Sequence, residues 1–175
     1  MTEKPSKRLV IMRHAKSDWP DGVSDHDRPL LERGYQEAAL AGLWLRDNDV
    51  RPDYILCSSA VRTQQTCAGV RAALGAGIPE PVVSEELYAA FPKRMLSVIN
   101  HVPDSIRTLL VIAHMPGVQE LILALASAHS QALAYQQATA RFPTSALAVL
   151  TVDKPWVELD GQDALLQRFV VPRAE

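Results

Sequence analysis

Two stretches of this chain are apolar without alternation: Leu9-Val-Ile-Met12 and Leu109-Leu-Val-Ile-Ala113. Such runs read as strands buried on both faces, as in a parallel sheet. Shorter strands are expected at Asp53–Ser59 and Pro81–Val83, and further ones at Ala146–Val152 and Leu165–Val171. The last two flank a turn at Asp160-Gly161, so they read as an antiparallel hairpin at a sheet edge, covered by Trp156. Between the strands the period lengthens to that of a helix. Glu32–Asn48 carries Ala39, Leu40, Leu43 and Trp44 on one face. Ala60–Leu74 has a stripe of Cys67, Val70 and Leu74, with Ser59 as its N-cap and Gly75 and Gly77 as stop signals. Lys93–His101 is a helix on Met95, Leu96 and Ile99, with His101 as a helix-end residue. Val118, Leu121, Ile122 and Leu125 form another face, behind Pro116 at a first helical position. His129–Arg141, rich in Ala and Gln, is a further helix, read as a solvated connector. Lys16–Leu30, dominated by Pro, Gly, Asp and Ser, is a loop. Strands alternating with helices make this an α/β chain with a mostly parallel sheet and an antiparallel edge strand.

Composition narrows the function without naming it. A length of 175 residues fits one domain, 1–175, with a core of ordinary size. A net charge of −2 carries no footprint of nucleic acid or of a membrane surface, so neither is expected as a partner. The polar start, Met1 to Lys7, has no apolar signal core, and no apolar run is long enough to span a bilayer. A cytoplasmic protein is the expectation. The only cysteines, Cys57 and Cys67, read as buried thiols and not as a disulfide.

The chemistry sits at the strand ends. In open α/β sheets, ligands bind off the carboxyl ends of the strands. Arg13-His14 follows the first apolar run and His114 follows the other, while Arg62 falls in the first turn of the helix after the second strand. Two guanidiniums can hold the oxygens of a phosphoryl group in a fork that lysine cannot match. A second histidine can donate to the same oxygens. A neutral imidazole in line with phosphorus can attack it and form a phosphohistidine, which water then hydrolyses. Ser17 can donate to phosphate, and Asp18, Asp25 and Asp27 can hold Arg13 or Arg28 in place. This chemistry requires no metal or other cofactor. Five histidines without a tight acidic cluster, and no H-x-E or C-x-x-C run, disfavour a metallophosphatase. The chain contains no P-loop, and neither cysteine lies in a phosphate-binding loop closed by arginine.

These motifs resemble a known family. Arg13-His14-Ala15 is similar to the Arg-His-Gly signature of the histidine phosphatase, or phosphoglycerate mutase-like, superfamily. Ser58-Ser-Ala-Val-Arg62-Thr-Gln-Gln-Thr66 resembles its second arginine motif, and Ala113-His114-Met-Pro-Gly117 its second histidine motif. Within it, Arg28-Pro-Leu30, Arg33-Gly34 and Phe142-Pro-Thr-Ser-Ala-Leu147 point to the small SixA-type phosphohistidine phosphatases. The resemblance spans about Arg8 to Asp153. It implies a three-layer α/β/α sandwich, His14 as nucleophile, and Arg13, Arg62 and His114 as the phosphate pocket. Ala15 stands where the family usually has Gly. Relatives that cleave phosphoesters place an acid between the second arginine and second histidine motifs. Glu86 is the first candidate for that general acid and Glu85 the next.

The reading that follows is a metal-independent phosphatase for phosphohistidine on a protein. The same pocket serves a phosphatase of a small phosphoester or pyrophosphate. A third reading, of another class, is a non-catalytic phosphate-binding module, against which an intact His14 argues. No inserted cap domain is evident, which favours an open site and a bulky substrate, although the His129–Arg141 segment can fold over it.

Overall fold

A computed structural model describes residues 5–173; the first four residues of the polar N-terminal stretch lie outside the described residues. Six strands form one sheet: β1 (Lys7–Arg13), β2 (Tyr54–Ser58), β3 (Val82–Ser84), β4 (Thr108–Ala113), β5 (Leu147–Val152) and β6 (Ala164–Val170). Their spatial order is β3-β2-β4-β1-β5-β6. The first four in that order are parallel. β5 pairs antiparallel with β1, and β6 antiparallel with β5, across a register shift at Val149/Leu150. The expected hairpin therefore closes one edge of a mostly parallel sheet. The strand that opposes the rest is β5, one position in from the edge.

Alternate residues of each buried strand feed two separate cores, because strand side chains point to opposite faces. Leu9, Ile11, Leu109 and Val111 face α3 (Pro92–Asn100), α4 (Gly117–Leu125) and α5 (Ala132–Ala140). Val10, Met12, Leu110 and Ile112 face α1 (Glu32–Asp47) and α2 (Val61–Leu74). The result is a three-layer α/β/α sandwich. β1 and β4 lie side by side near the middle, with Arg13 in register with Ala113. That register brings His14 and His114 out at the same end of the sheet.

Several local expectations are corrected. The buried face of α1 is Gly34, Ala38, Ala41, Gly42 and Leu45, whereas Ala39, Leu40, Leu43 and Trp44 are only half-buried. Close helix packing is the reason. A Cβ on Gly42 would stand 2.5 Å from the Val70 carbonyl oxygen of α2, so small residues line the contact. The N-cap of α2 is Ala60, with no side-chain cap, because Ser59 Oγ pairs instead with His26 Nε2 at 3.0 Å. Pro116 is the N-cap of α4 and lies outside the helix. Trp156 does not cover the β6 edge. It is fully buried in the core beneath α3, and its indole N–H donates to the Ile106 carbonyl at 3.0 Å. His101 does cap the end of α3, with Nδ1 2.7 Å from the Ser97 carbonyl. Cys57 and Cys67 are buried free thiols.

Candidate active site

β1 ends at Arg13, and His14 continues its ladder by donating its backbone N–H to the Ala113 carbonyl at 3.1 Å. Ser145 N–H in turn donates to the His14 carbonyl at 3.0 Å. The nucleophile candidate is thus held by backbone bonds to β4 on one side and to the turn before β5 on the other. The next residue, Ala15, is fully buried, and its N–H donates to Thr66 Oγ1 at 2.9 Å. Lys16 N–H donates to Glu37 Oε2 at 3.0 Å, and Thr144 Oγ1 donates to the same oxygen at 3.0 Å. Glu37 is a buried carboxylate on α1 that ties the loop after β1 to the loop before β5. It also lies close enough to Arg13 to raise the guanidinium pKa that burial lowers.

His14 Nδ1 lies 2.7 Å from the Ala15 carbonyl. A carbonyl only accepts, so Nδ1 carries the proton and Nε2 of the neutral ring is left bare. Burial pushes the His14 pKa down to about 3, and His114, Arg62 and Arg13 add to that, against the bond to Ala15. The ring is therefore neutral near pH ~7.

His114 sits 5.3 Å from His14, centroid to centroid. An Arg62 terminal N–H donates to its Nδ1 at 3.3 Å. Its Nε2 is 2.7 Å from Ser58 Oγ. With Nδ1 accepting, the neutral ring holds its proton on Nε2 and gives it to Ser58. Burial, reinforced by Arg62, lowers the His114 pKa to about 4. The expected donation from His114 to a phosphate oxygen thus needs one rearrangement. Either a dianion raises the pKa until Nδ1 is protonated, or the Ser58 hydroxyl turns to donate and the ring proton moves to Nδ1.

The arginines keep donors in reserve. Arg13 gives one N–H to the Phe142 carbonyl at 2.8 Å. Arg62 gives N–H groups to the Asp25 carbonyl at 2.6 Å and to Asp25 Oδ2 at 3.2 Å. The Nε of each is buried and has no protein partner. A buried unpaired donor costs about 1–3 kcal/mol, so each guanidinium carries an unmet hydrogen-bonding demand beside the site.

These groups line one cavity of about 270 Å³. Arg13, Lys16, Arg28 and Arg62 give it four cations, with no carboxylate on the lining among the described residues, in a chain of net charge −2. A small concave site so charged favours a small anion. His14, His114 and Ser17 complete its floor; Ser17 Oγ accepts from Arg28 at 2.7 Å. The structure thus assembles Arg13, His14, Ser17, Arg62 and His114 in one place. It does not bring Glu85 or Glu86 there. Both are exposed on a one-turn helix after β3, and Glu86 N–H turns back to Ser84 Oγ at 3.2 Å. The carboxylate bonded to Arg28 and Arg62 is Asp25, which also accepts from Tyr88 Oη. Chiefly the Tyr88 bond, then Arg28 and Arg62, hold it well below the usual carboxylate range. α5 packs on α4 and β6, and none of its residues lines the cavity. Among the described residues no three His, Cys, Asp or Glu side chains group as metal ligands, and no helix is long and apolar enough to cross a membrane.

Comparison with known proteins agrees with this geometry. The model of the histidine phosphatase superfamily, branch 1, matches residues 9–87. The solved structure of a proposed phosphohistidine phosphatase SixA from Nakamurella multipartitia superposes with a TM-score of 0.86 at 31% identity, covering 98% of this chain and 99% of that one. The chain belongs to the histidine phosphatase superfamily. The protein histidine phosphatase SixA complexed with tungstate is also similar, with a TM-score of 0.77 at 25% identity, covering 94% of this chain and 97% of that one. An uncharacterized Mycobacterium tuberculosis protein is 44% identical over 164 residues, covering 93% of this chain and 100% of that one. In this histidine phosphatase-superfamily chain, His14 and His114 directly follow β1 and β4.

Residues that the sequence reading gave no role now have one. Ser58 holds His114, and Glu37 and Thr66 hold the loop after His14. Asp25, expected to hold Arg13 or Arg28, holds Arg62 as well as Arg28. Glu37 left one signal, a carboxylate on a helix beside Ala38 and Ala41. Ser58 and Thr66 lie inside the second arginine motif, four residues either side of Arg62.

Proposed function

We propose that this protein is a metal-independent phosphatase that carries the phosphoryl group on His14 and removes it from phosphohistidine on a protein. The observation that carries the reading is the state of His14: a neutral ring with its proton tied to Ala15 and Nε2 free, in one cavity with Arg13 and Arg62. The Nε2 lone pair attacks phosphorus, and the bond from phosphorus to the substrate nitrogen breaks. The leaving imidazole takes that electron pair and departs neutral if its other nitrogen already carries a proton. Water then attacks phosphorus, its proton passes to the phosphate, and the His14 pair returns to Nε2. The Nδ1–H bond to Ala15 is kept through both steps and steadies the positive charge of the phosphorylated ring. Arg13, Arg62 and a rearranged His114 bind the equatorial oxygens, and Ser17 lies within the same pocket. That a SixA relative was solved with tungstate, a tetrahedral oxyanion, supports an oxyanion pocket here.

The leaving group favours phosphohistidine over an alkyl phosphate. An alkoxide needs a proton as it departs, and the cavity lining offers no carboxylic acid to give one. Asp25 is held ionised, and the exposed position of Glu86 lends no support to the role of proton donor. The test is turnover of a phosphohistidine protein, pyrophosphate and alkyl phosphates by one preparation, with and without a chelator. Fastest turnover of the phosphohistidine protein, unaffected by chelation, is expected. A metabolite ester turned over faster would reject the substrate, and activity lost to the chelator and restored by metal would reject the mechanism.

A further inference from the structure

Trp19 stands apart from the other exposed aromatic side chains. It is 73% exposed, yet it lines the same cavity whose floor holds His14 at 8% exposure. It therefore marks the outer end of that cavity. It is also held in place. The Arg28 guanidinium carbon lies 3.3 Å from its ring centroid, covering one face. Arg28 cannot drift, because it is 8% exposed and its nitrogens are spent on the loop. Its Nε donates to the Asp18 carbonyl at 2.8 Å, and its two terminal nitrogens to Asp25 Oδ1 at 2.9 Å and Ser17 Oγ at 2.7 Å. The Trp19 backbone N–H is bonded to Asp18 Oδ1 at 2.7 Å. The base of the loop is pinned by pairing of Ser17 with Leu30. The ring is thus a rigid plate, backed by a cation and open to solvent on its remaining surface.

A phosphoryl group seated on Arg13 and Arg62 must send its attached group out through this mouth. We propose that Trp19 is a leaving-group platform, whose open face stacks the flat ring of an aromatic phosphoryl donor, the imidazole of phosphohistidine. The proposal rests on the phosphohistidine reading and adds the element that would choose the ring. A flat ring gains an offset stack on indole, whereas an alkyl group of similar size gains contact area alone. The fixed plate loses little freedom when the ring arrives. No part of this selection needs the enzyme to donate a proton, so it acts on binding and shows in KM more than in kcat.

The experiment compares the protein with Trp19→Ala and Trp19→Phe on phosphoimidazole, phenyl phosphate and ethyl phosphate. Inhibition by phenylphosphonate and ethylphosphonate reports the same preference without turnover. Trp19→Ala is expected to lower the aromatic-to-ethyl ratio roughly two- to tenfold, the range of one aromatic pair, in both assays. Trp19→Phe should restore most of it. An equal fall on aromatic and ethyl compounds would overturn the platform and leave Trp19 as a prop for Arg28. An unchanged ratio would overturn it as well. The two readings fail separately. A protein that prefers phenyl phosphate through Trp19 but ignores phosphoimidazole keeps the platform and loses the proposed substrate. Fast phosphoimidazole turnover with no Trp19-dependent preference does the reverse.

Discussion

The ends of β1 and β4 are built alike and behave differently. Each is a buried strand in a parallel pair, each is followed at once by a histidine, and the pairing sets Arg13 opposite Ala113. Both rings are nearly buried and have lowered pKa values for the same first cause, burial. What separates them is their hydrogen-bond partners, one for His14 and two for His114. The Ala15 carbonyl takes the His14 Nδ1 proton and leaves Nε2 bare. Ser58 and Arg62 occupy both nitrogens of His114. Backbone position thus makes two candidate nucleophiles, and in the proposed mechanism the hydrogen-bond partners single out His14.

The comparison breaks first at His14. His14→Ala should reduce kcat by about a thousandfold or more, as loss of a covalent nucleophile does, while still binding phosphate. His114→Ala should be less severe in the same steady-state assay. If the two lose activity equally, the assignment of roles is wrong. Arg62→Lys keeps the charge but loses the fork that spans Asp25 and His114 and that is proposed to hold a phosphate oxygen. One charge-assisted bond is worth about 1.5–3 kcal/mol, so kcat/KM should fall roughly ten- to hundredfold. Unchanged kinetics would reduce Arg62 to a structural residue.

Ser58→Ala sharpens the comparison from the His114 side. It removes the acceptor for the Nε2 proton and frees the ring to change tautomer. A neutral hydrogen bond contributes about 0.5–1.5 kcal/mol, so a fall in kcat of roughly two- to tenfold is expected, with no trace in any property of His14. The last effect concerns stability and not turnover. In the unfolded chain both histidines titrate near pH ~6.5. Folded, they remain neutral down to about 3 and about 4. Between those limits the unfolded chain binds more protons, so stability falls as pH drops below ~6.5, by at most ~1.4 kcal/mol per pH unit for each ring. His14→Asn, which does not titrate, should flatten the decline of Tm between pH ~6 and ~4. A parallel decline would mean that His14 is not held neutral by the fold.

Legibility follows the same divide. Unbroken apolar runs ending in Arg13-His14 and in His114 announce buried strands, and parallel sheets carry ligands at that end. Those residues and the place of Arg62 could therefore be read directly from the chain. Partners across the fold could not. Asp25 reaches Arg62 from 37 residues away, and Glu37 meets Thr144 from 107 away. No local pattern encodes such meetings. The face of α1 was misread because size, not hydrophobicity, governs a helix contact as close as that of Gly42 with Val70. Glu86 was read onto the site from its position between motifs; its side chain is exposed on a single helical turn after β3, two residues before Tyr88, whose ring lies 5.6 Å from that of His114.

The central claim is that His14, and not His114, takes the phosphoryl group. Brief reaction with a radiolabelled phosphoryl donor, quenching in base and peptide mapping tests it most directly. Acid-labile, base-stable label on the peptide containing His14 is the predicted result, absent from His14→Ala. Label on the His114 peptide, or on a serine, cysteine or aspartate, would contradict it.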